Sequence, residues 1–208
     1  MTLLDISPLV DATIQVWPGD TPYTRTVNLD MAAGSSLTLS HIQTTVHVGA
    51  HADAPSHYSA EGEDIASRKL DYYVGACNVI DLEGIGARRI MPSDLAGKHI
   101  TAARVLFRTG SFPDPRSWPG EFASLSPELV DALHERGVVL VGIDTPSVDP
   151  FESKLLEAHQ ALAEHDMANL EGLVLDGVPE AEYELIALPL RLGGADGSPV
   201  RAVLRPLA

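Results

Sequence analysis

His47-Val48-Gly49-Ala50-His51-Ala52-Asp53-Ala54-Pro55-Ser56-His57-Tyr58 places three imidazoles and a carboxylate within eleven residues. Neutral imidazole offers a free lone pair near neutral pH, and Asp53 can bind one ion or bridge two. Upstream, Leu37–Val48 alternates like a strand, with Ile42, Val46 and Val48 on one face and His41, Gln43, Thr45 and His47 on the other. His47 therefore points away from the apolar set. Gly49 lets the chain turn, which returns His51 and Asp53 toward His47, and Pro55 stiffens the exit before His57. A lone histidine would read as a solvated or hydrogen-bonded group. Four ligand types at this density read instead as a metal site, although the spacing is not the HExxH of helical metalloproteases.

Around this segment, short apolar or alternating runs predict strands over Leu3–Val10, Arg25–Met31, Leu37–Val48, Cys77–Leu82, Val105–Thr109, Val138–Asp144, Leu185–Leu192 and Val200–Leu204. Asp196-Gly197 is a hairpin signal that would pair the last two antiparallel. Ser126-Pro127-Glu128 opens a helix that Gly137 closes, with Leu129, Val130 and Leu133 on its apolar face. A second helix is expected from Lys154 to about His165, and short helices over Asp64–Tyr73 and Pro92–Gly97. Pro113, Pro115 and Pro119 make residues 110–122 a long loop of the kind that often carries function. These elements make one strand-rich α/β domain with a few helices, spanning residues 1–208.

The chain has 208 residues, 45% of them hydrophobic, and a formal charge of −15. That charge disfavours nucleic-acid backbones and anionic membrane surfaces and favours cations. Cys77 stands alone, so no intrachain disulfide or cysteine-rich zinc ribbon forms, and its apolar setting marks it as core. The start carries no basic leader, and no apolar run approaches a membrane span, so the expected location is cytoplasmic. Neither a G-x-S-x-G elbow nor a P-loop nor G-x-G-x-x-G is present, and Gly193-Gly194 reads as a turn. Between Asp144 and Glu184 there are eleven acidic residues and one basic, Lys154.

Other candidates are ambiguous from the residues alone. His159 lies on the apolar face of its helix and reads as a satisfied buried histidine; Glu171, after a break expected at Met167–Asn169, reads as a solvated carboxylate. Trp17 reads equally as a loop anchor in a Pro-Gly turn or as a contact for an aromatic ligand. His41 is either a support for His47 or a surface residue, His134 a favourable partner for its helix dipole, and His99 and His165 surface residues.

His47-x-Gly-x-His51-x-Asp53-x-Pro55-x-His57 resembles the signature of the metal-dependent cyclase family of hydrolases. Asp5-Ile-Ser-Pro8, Trp17-Pro-Gly-Asp20, Gly142 through Asp149, Ala158-His159 and Leu170-Glu171-Gly-Leu173 extend the resemblance over nearly the whole chain. It implies a layered β/β/α swivelling fold, a homodimer and two Zn2+ per subunit. His47, His51 and Asp53 would hold the first ion, with Asp53 bridging to a second completed by His159 and Glu171. His57 would transfer the proton and Trp17 would contact substrate. Within the family the chain is most similar to the bacterial arylformamidases, which implies hydrolysis of N-formyl-L-kynurenine. The alternatives are another aryl amide such as isatin, with Mn2+ in place of Zn2+, or a non-catalytic metal-binding or sensing module in which His57 is idle.

Overall fold

A computed structural model describes residues 2–118 and 120–207. The strands in chain order are β1 (Leu4–Asp5), β2 (Thr24–Leu29), β3 (Leu39–Gln43), β4 (His51–Asp53), β5 (Val74–Asp81), β6 (Arg89–Ile90), β7 (Arg104–Arg108), β8 (Ser124–Leu125), β9 (Leu140–Ile143), β10 (Ala168–Glu171), β11 (Ala181–Ile186), β12 (Gly197–Pro199) and β13 (Val203–Pro206). Among the described residues there are two α-helices, α1 (Pro127–His134) and α2 (Glu157–Glu164). Among the described residues no helix is long and apolar enough to cross a membrane.

Nine strands form one mixed sheet in the order β1-β13-β11-β5-β7-β9-β10-β4-β12. Its centre, β5-β7-β9-β10, is parallel, and both flanks are antiparallel. The parallel joins need crossovers, and α1 and α2 lie on those that lead into β9 and β10. β12 sits at one end of the strand order and β13 next to the other, yet only residues 200–202 join them. The sheet must therefore curl until its ends approach. Backbone bonds from Val200 N to Ala50 O and from Ile6 N to Ala202 O stitch that seam.

Period-2 alternation divides the core. Leu106, Cys77, Val79, Leu140, Leu170 and Leu204 turn into the curl. Val105, Phe107, Ile80, Val141 and Ile143 turn outward against Leu129, Val130 and Leu133 of α1 and Ala158, Ala161 and Leu162 of α2. The Ser126 hydroxyl accepts the Leu129 N–H as N-cap of α1, and Pro127 takes its first position, as the sequence predicts.

Several expectations need correcting. Leu37–Val48 is not one strand. It ends at Gln43, and Ile42 is exposed while Val48 is buried, because β2 and β3 form a separate ribbon with no core of its own to cover it. Asp196-Gly197 makes no tight hairpin. β11 and β13 do pair antiparallel, but the intervening chain first adds β12 to the edge of β4. The break expected at Met167–Asn169 is the entry to β10, whose four residues are all buried. The second helix starts three residues later than expected, at Glu157, because Leu156 adopts left-handed backbone (φ +51°). Asp64–Tyr73 and Pro92–Gly97 shrink to short 3-10 turns. Pro119 of the long loop lies outside the described residues.

Candidate functional site

The edge of the sheet at β4 and β10 builds the centre. Antiparallel register pairs Glu171 with His51 and Leu170 with Ala52. Ala52 and Leu170 turn into the inner core, so His51, Asp53, Asn169 and Glu171 share the opposite face. That face meets the N-terminal turn of α2, which supplies His159. The approach is close. A Cβ on Gly172 would lie 2.2 Å from the Gly49 carbonyl oxygen, and Gly172 has φ +64°. Only glycine there lets the chain after Glu171 pass beneath the turn before His51. His47 comes from that preceding turn, and His57 from the 3-10 turn Pro55–His57.

The side chains converge. His47 Nδ1 is 2.9 Å from Asp53 Oδ1, and His51 Nε2 lies 3.5 Å from the same oxygen and 3.3 Å from Glu171 Oε2. His159 Nε2 sits 3.3 Å from both Asp53 Oδ2 and Glu171 Oε1. Two three-donor groups result, His47/His51/Asp53 and Asp53/His159/Glu171, each with ligand atoms within 4.8 Å of one another and both using Asp53. His51, Asp53, His159 and Glu171 are each at most 3% exposed.

Burial opposes charge on His47, Asp53, His159 and Glu171, and their pairing outweighs it. His47 is raised to about 9 by Asp53 and Asp196 despite burial. His159 is raised well above the usual histidine value by Asp149, Asp53 and Glu171. The imidazoles in turn hold Asp53 well below the normal carboxylate range and keep Glu171 low against the neighbouring Asp53 charge.

The outer partners fix ring orientation. His51 Nδ1–H donates to the Gly49 carbonyl at 2.9 Å, and His159 Nδ1–H donates to Asp149 at 2.8 Å, which turns each Nε2 inward. Asp149 also accepts the Ala158 and His159 backbone N–H groups, so it anchors the start of α2 and the ring together. Asn169 donates to Asp53 at 2.6 Å and to Glu171 at 3.2 Å, and Val148 N–H donates to Glu171 at 2.8 Å. The donor set of nitrogens and carboxylate oxygens, held by such partners, fits divalent transition metals.

The centre opens into a cavity of about 560 Å³. His57 stands at its rim, with Nδ1 3.3 Å from Asp196 Oδ2, and the same Asp196 oxygen is 3.0 Å from His47 Nε2. Beyond the candidate metal ligands the cavity wall is aromatic. Trp17 packs on Trp118 and Phe151 with centroids 5.2 and 5.1 Å apart.

All seven residues singled out in the sequence line this cavity or sit within its cluster. His41 does not. It bonds Asn28 in the ribbon. His134 stacks on His165, which bonds Asp131. Sequence reasoning missed Asp149, Asn169 and Asp196 as partners, and Trp118 and Phe151 as walls. Asp196 was hidden by its turn-forming neighbour Gly197, and Asn169 by the unrecognised strand.

The geometry has counterparts. A family model described as putative cyclase matches residues 4–150. A solved structure described as a potential metal-dependent hydrolase with cyclase activity shares 27% identity over 98% of this chain and 96% of its own, with a TM-score of 0.84. A solved structure described as a predicted metal-dependent hydrolase from Bacillus stearothermophilus shares 28% identity over 98% and 97%, with a TM-score of 0.83. Isatin hydrolase A from Labrenzia aggregata has the same fold, at 23% identity over 98% and 93% and a TM-score of 0.84. With the segment that carries His47 through His57 inside the family match, and the solved structures superposing along nearly their whole lengths, the chain belongs to the cyclase family.

Proposed function

We propose that the protein is a metal-dependent amidohydrolase, a kynurenine formamidase that converts N-formyl-L-kynurenine and water to L-kynurenine and formate in tryptophan breakdown. The observation that carries this reading is the pair of three-donor groups sharing Asp53 at the floor of a cavity walled by Trp17. The hydrolase descriptions of the relatives support it. His47, His51 and Asp53 would hold one Zn2+, and Asp53, His159 and Glu171 a second; Mn2+ fits the same donors.

Ions held there supply Lewis-acid polarisation of the formyl oxygen and a water acidified toward neutrality. The chain's own residues do the rest. Trp17 stacks on the aniline ring, a contact worth about 0.5–1.5 kcal/mol beyond burial. The aromatic wall keeps bulk water from the reacting carbon. As water's oxygen bonds to the formyl carbon and the C–N bond breaks, the departing aniline nitrogen needs a proton. The rim imidazole of His57, backed by Asp196, takes one proton from the attacking water and passes it to that nitrogen, and the water's second proton goes to solvent as formate leaves. Proton transfer of this kind contributes about 10²–10⁴ in rate.

The working unit is proposed to be a cytoplasmic homodimer. Every residue of β2 and β3 is exposed, and the ribbon presents Val27, Leu29, Leu39 and Ile42. A second copy would bury that apolar surface.

Metal-replete protein should release formate from N-formyl-L-kynurenine faster than it opens the isatin ring. Absence of formate release sinks the assignment, and faster isatin opening replaces it with isatin hydrolysis. His57→Ala should lower kcat while metal content is retained. Unchanged turnover in that variant would refute the proton-donor role.

A further inference from the structure

Outside the histidine–carboxylate cluster the cavity wall carries two charged side chains of opposite sign, Lys154 and Asp20. Lys154 is the one basic residue in the acidic stretch from Asp144 to Glu184. Both side chains are exposed, neither has a salt-bridge partner within 4.0 Å among the described residues, and one Asp20 oxygen accepts the Thr21 N–H at 2.6 Å. In a protein this acidic, a cation left without a carboxylate partner at a cavity mouth is available to a ligand.

Both residues sit on turns that the fold fixes. Trp17–Asp20 is a type II turn, with Pro18 second, Gly19 at φ +96° third, and Asp20 N–H bonded to the Trp17 carbonyl at 2.9 Å. Pro150–Ser153 is closed by Ser153 N–H on the Pro150 carbonyl at 2.9 Å, and the Ser153 hydroxyl accepts the Leu156 N–H at 3.0 Å. Leu156 holds left-handed backbone that leucine rarely adopts, a local conformation kept beside a cavity it lines. Trp17 and Phe151 join the two turns ring to ring at 5.1 Å. Asp20 lies three residues after Trp17, and Lys154 three residues after Phe151. Opposite charges thus lie three residues beyond the two rings of one aromatic contact, on the wall of the same cavity.

We propose that Lys154 and Asp20 form a subsite for a zwitterionic amino-acid tail on an aryl ligand, Lys154 taking the carboxylate and Asp20 the ammonium. The subsite deepens the proposed hydrolase reading by naming the substrate class, and it rests on that reading only for which bond then reacts.

Calorimetric titration with four probes tests it. L-kynurenine carries both charges, kynuramine lacks the carboxylate, 4-(2-aminophenyl)-4-oxobutanoate lacks the ammonium, and 2-aminoacetophenone lacks both. Wild-type protein should bind L-kynurenine about tenfold more tightly than 2-aminoacetophenone. Lys154→Met should erase the gain from the carboxylate and leave kynuramine and 2-aminoacetophenone unchanged. Asp20→Asn should erase the gain from the ammonium and leave 4-(2-aminophenyl)-4-oxobutanoate and 2-aminoacetophenone, which lack the aliphatic ammonium, unchanged. Equal wild-type affinity for all four, or variants that weaken all four alike, overturns the subsite. Formate release from N-formyl-L-kynurenine is measured in parallel. Charge-selective binding without turnover refutes the hydrolase reading and keeps the subsite, while turnover without charge selectivity refutes the subsite alone.

Discussion

Asp149→Asn separates the support of the centre from its ligands. Asp149 is fully buried and has four polar contacts. One oxygen takes Ala158 N–H at 3.0 Å and Arg89 at 3.2 Å; the other takes His159 N–H at 3.1 Å and His159 Nδ1–H at 2.8 Å. An amide of the same shape has one acceptor and one donor. Whichever way it turns, its NH2 faces a buried backbone N–H that loses its acceptor, at a cost of about 1–3 kcal/mol. Loss of the charge at the start of α2 adds about 0.3–1 kcal/mol. If the NH2 faces the ring, His159 Nδ1 must become an acceptor and its proton moves to Nε2, the atom aimed at Asp53 and Glu171. Loss of such an outer partner lowers metal affinity about 10–100-fold. His47 and His51 do not touch Asp149, so their group keeps its affinity. Urea unfolding and ion counting during chelator competition check both expectations. The variant should lose roughly 1–4 kcal/mol of stability, and an ion held by Asp53, His159 and Glu171 should leave before one held by His47, His51 and Asp53. Ion binding at wild-type affinity with unchanged stability would refute the reasoning.

Gly172→Ala should destabilise by more than about 2 kcal/mol and reduce ion retention, because its Cβ meets a backbone oxygen at 2.2 Å where no side chain can yield; a thermal midpoint equal to wild type would contradict this. Acid sensitivity can be read at Asp166, which bonds the buried Arg68 side chain at 2.6 Å and is held below the usual carboxylate pKa by Arg68 and Tyr72 against partial burial. A depressed folded-state pKa gives stability that is present above the unfolded value near 3.8 and lost as pH falls through the folded value. Asp166→Asn should therefore cost about 1 kcal/mol at pH 7 and progressively less below pH 4, as followed by denaturation at stepped pH; a constant cost across that range would count against it. Leu39→Glu with Ile42→Glu should convert the proposed dimer to monomers in light scattering, and a mass unchanged from wild type would refute the proposed β2–β3 interface.

Legibility in the sequence followed locality. The α1 cap, the strands predicted over Val105–Thr109 and Val138–Asp144, and the gathering of His47, His51, Asp53 and His57 all depend on residues close in the chain, and each was readable there. His159 and Glu171 owe their roles to β10 pairing with β4 more than a hundred residues away, so the residues alone suggested a buried histidine and a solvated carboxylate. The family resemblance supplied what local pattern could not. The ribbon failed for a related reason. Alternation in Leu37–Val48 marks an apolar face without saying whether the same chain covers it.

The same logic bears on why so costly a centre exists. Two carboxylates, Asp53 and Glu171, lie fully buried within reach of the same His159 nitrogen, and each raises the other's affinity for a proton. Their charges persist because the imidazoles of His47, His51 and His159 face them. Burying paired charges contributes less to stability than apolar packing of equal volume, and breaking such a pair costs about 3–5 kcal/mol. The surrounding strands could have closed over leucines, as the inner core does one residue away at Ala52 and Leu170. A cluster whose negative charge is kept in place by three imidazoles, each with a free or exchangeable lone pair, is therefore poorly explained by folding and well explained by affinity for cations. Replacing Asp53 and Glu171 together by Asn and Gln should then cost far more in ion binding than in stability. A variant that lost its fold but not its ions would overturn that order.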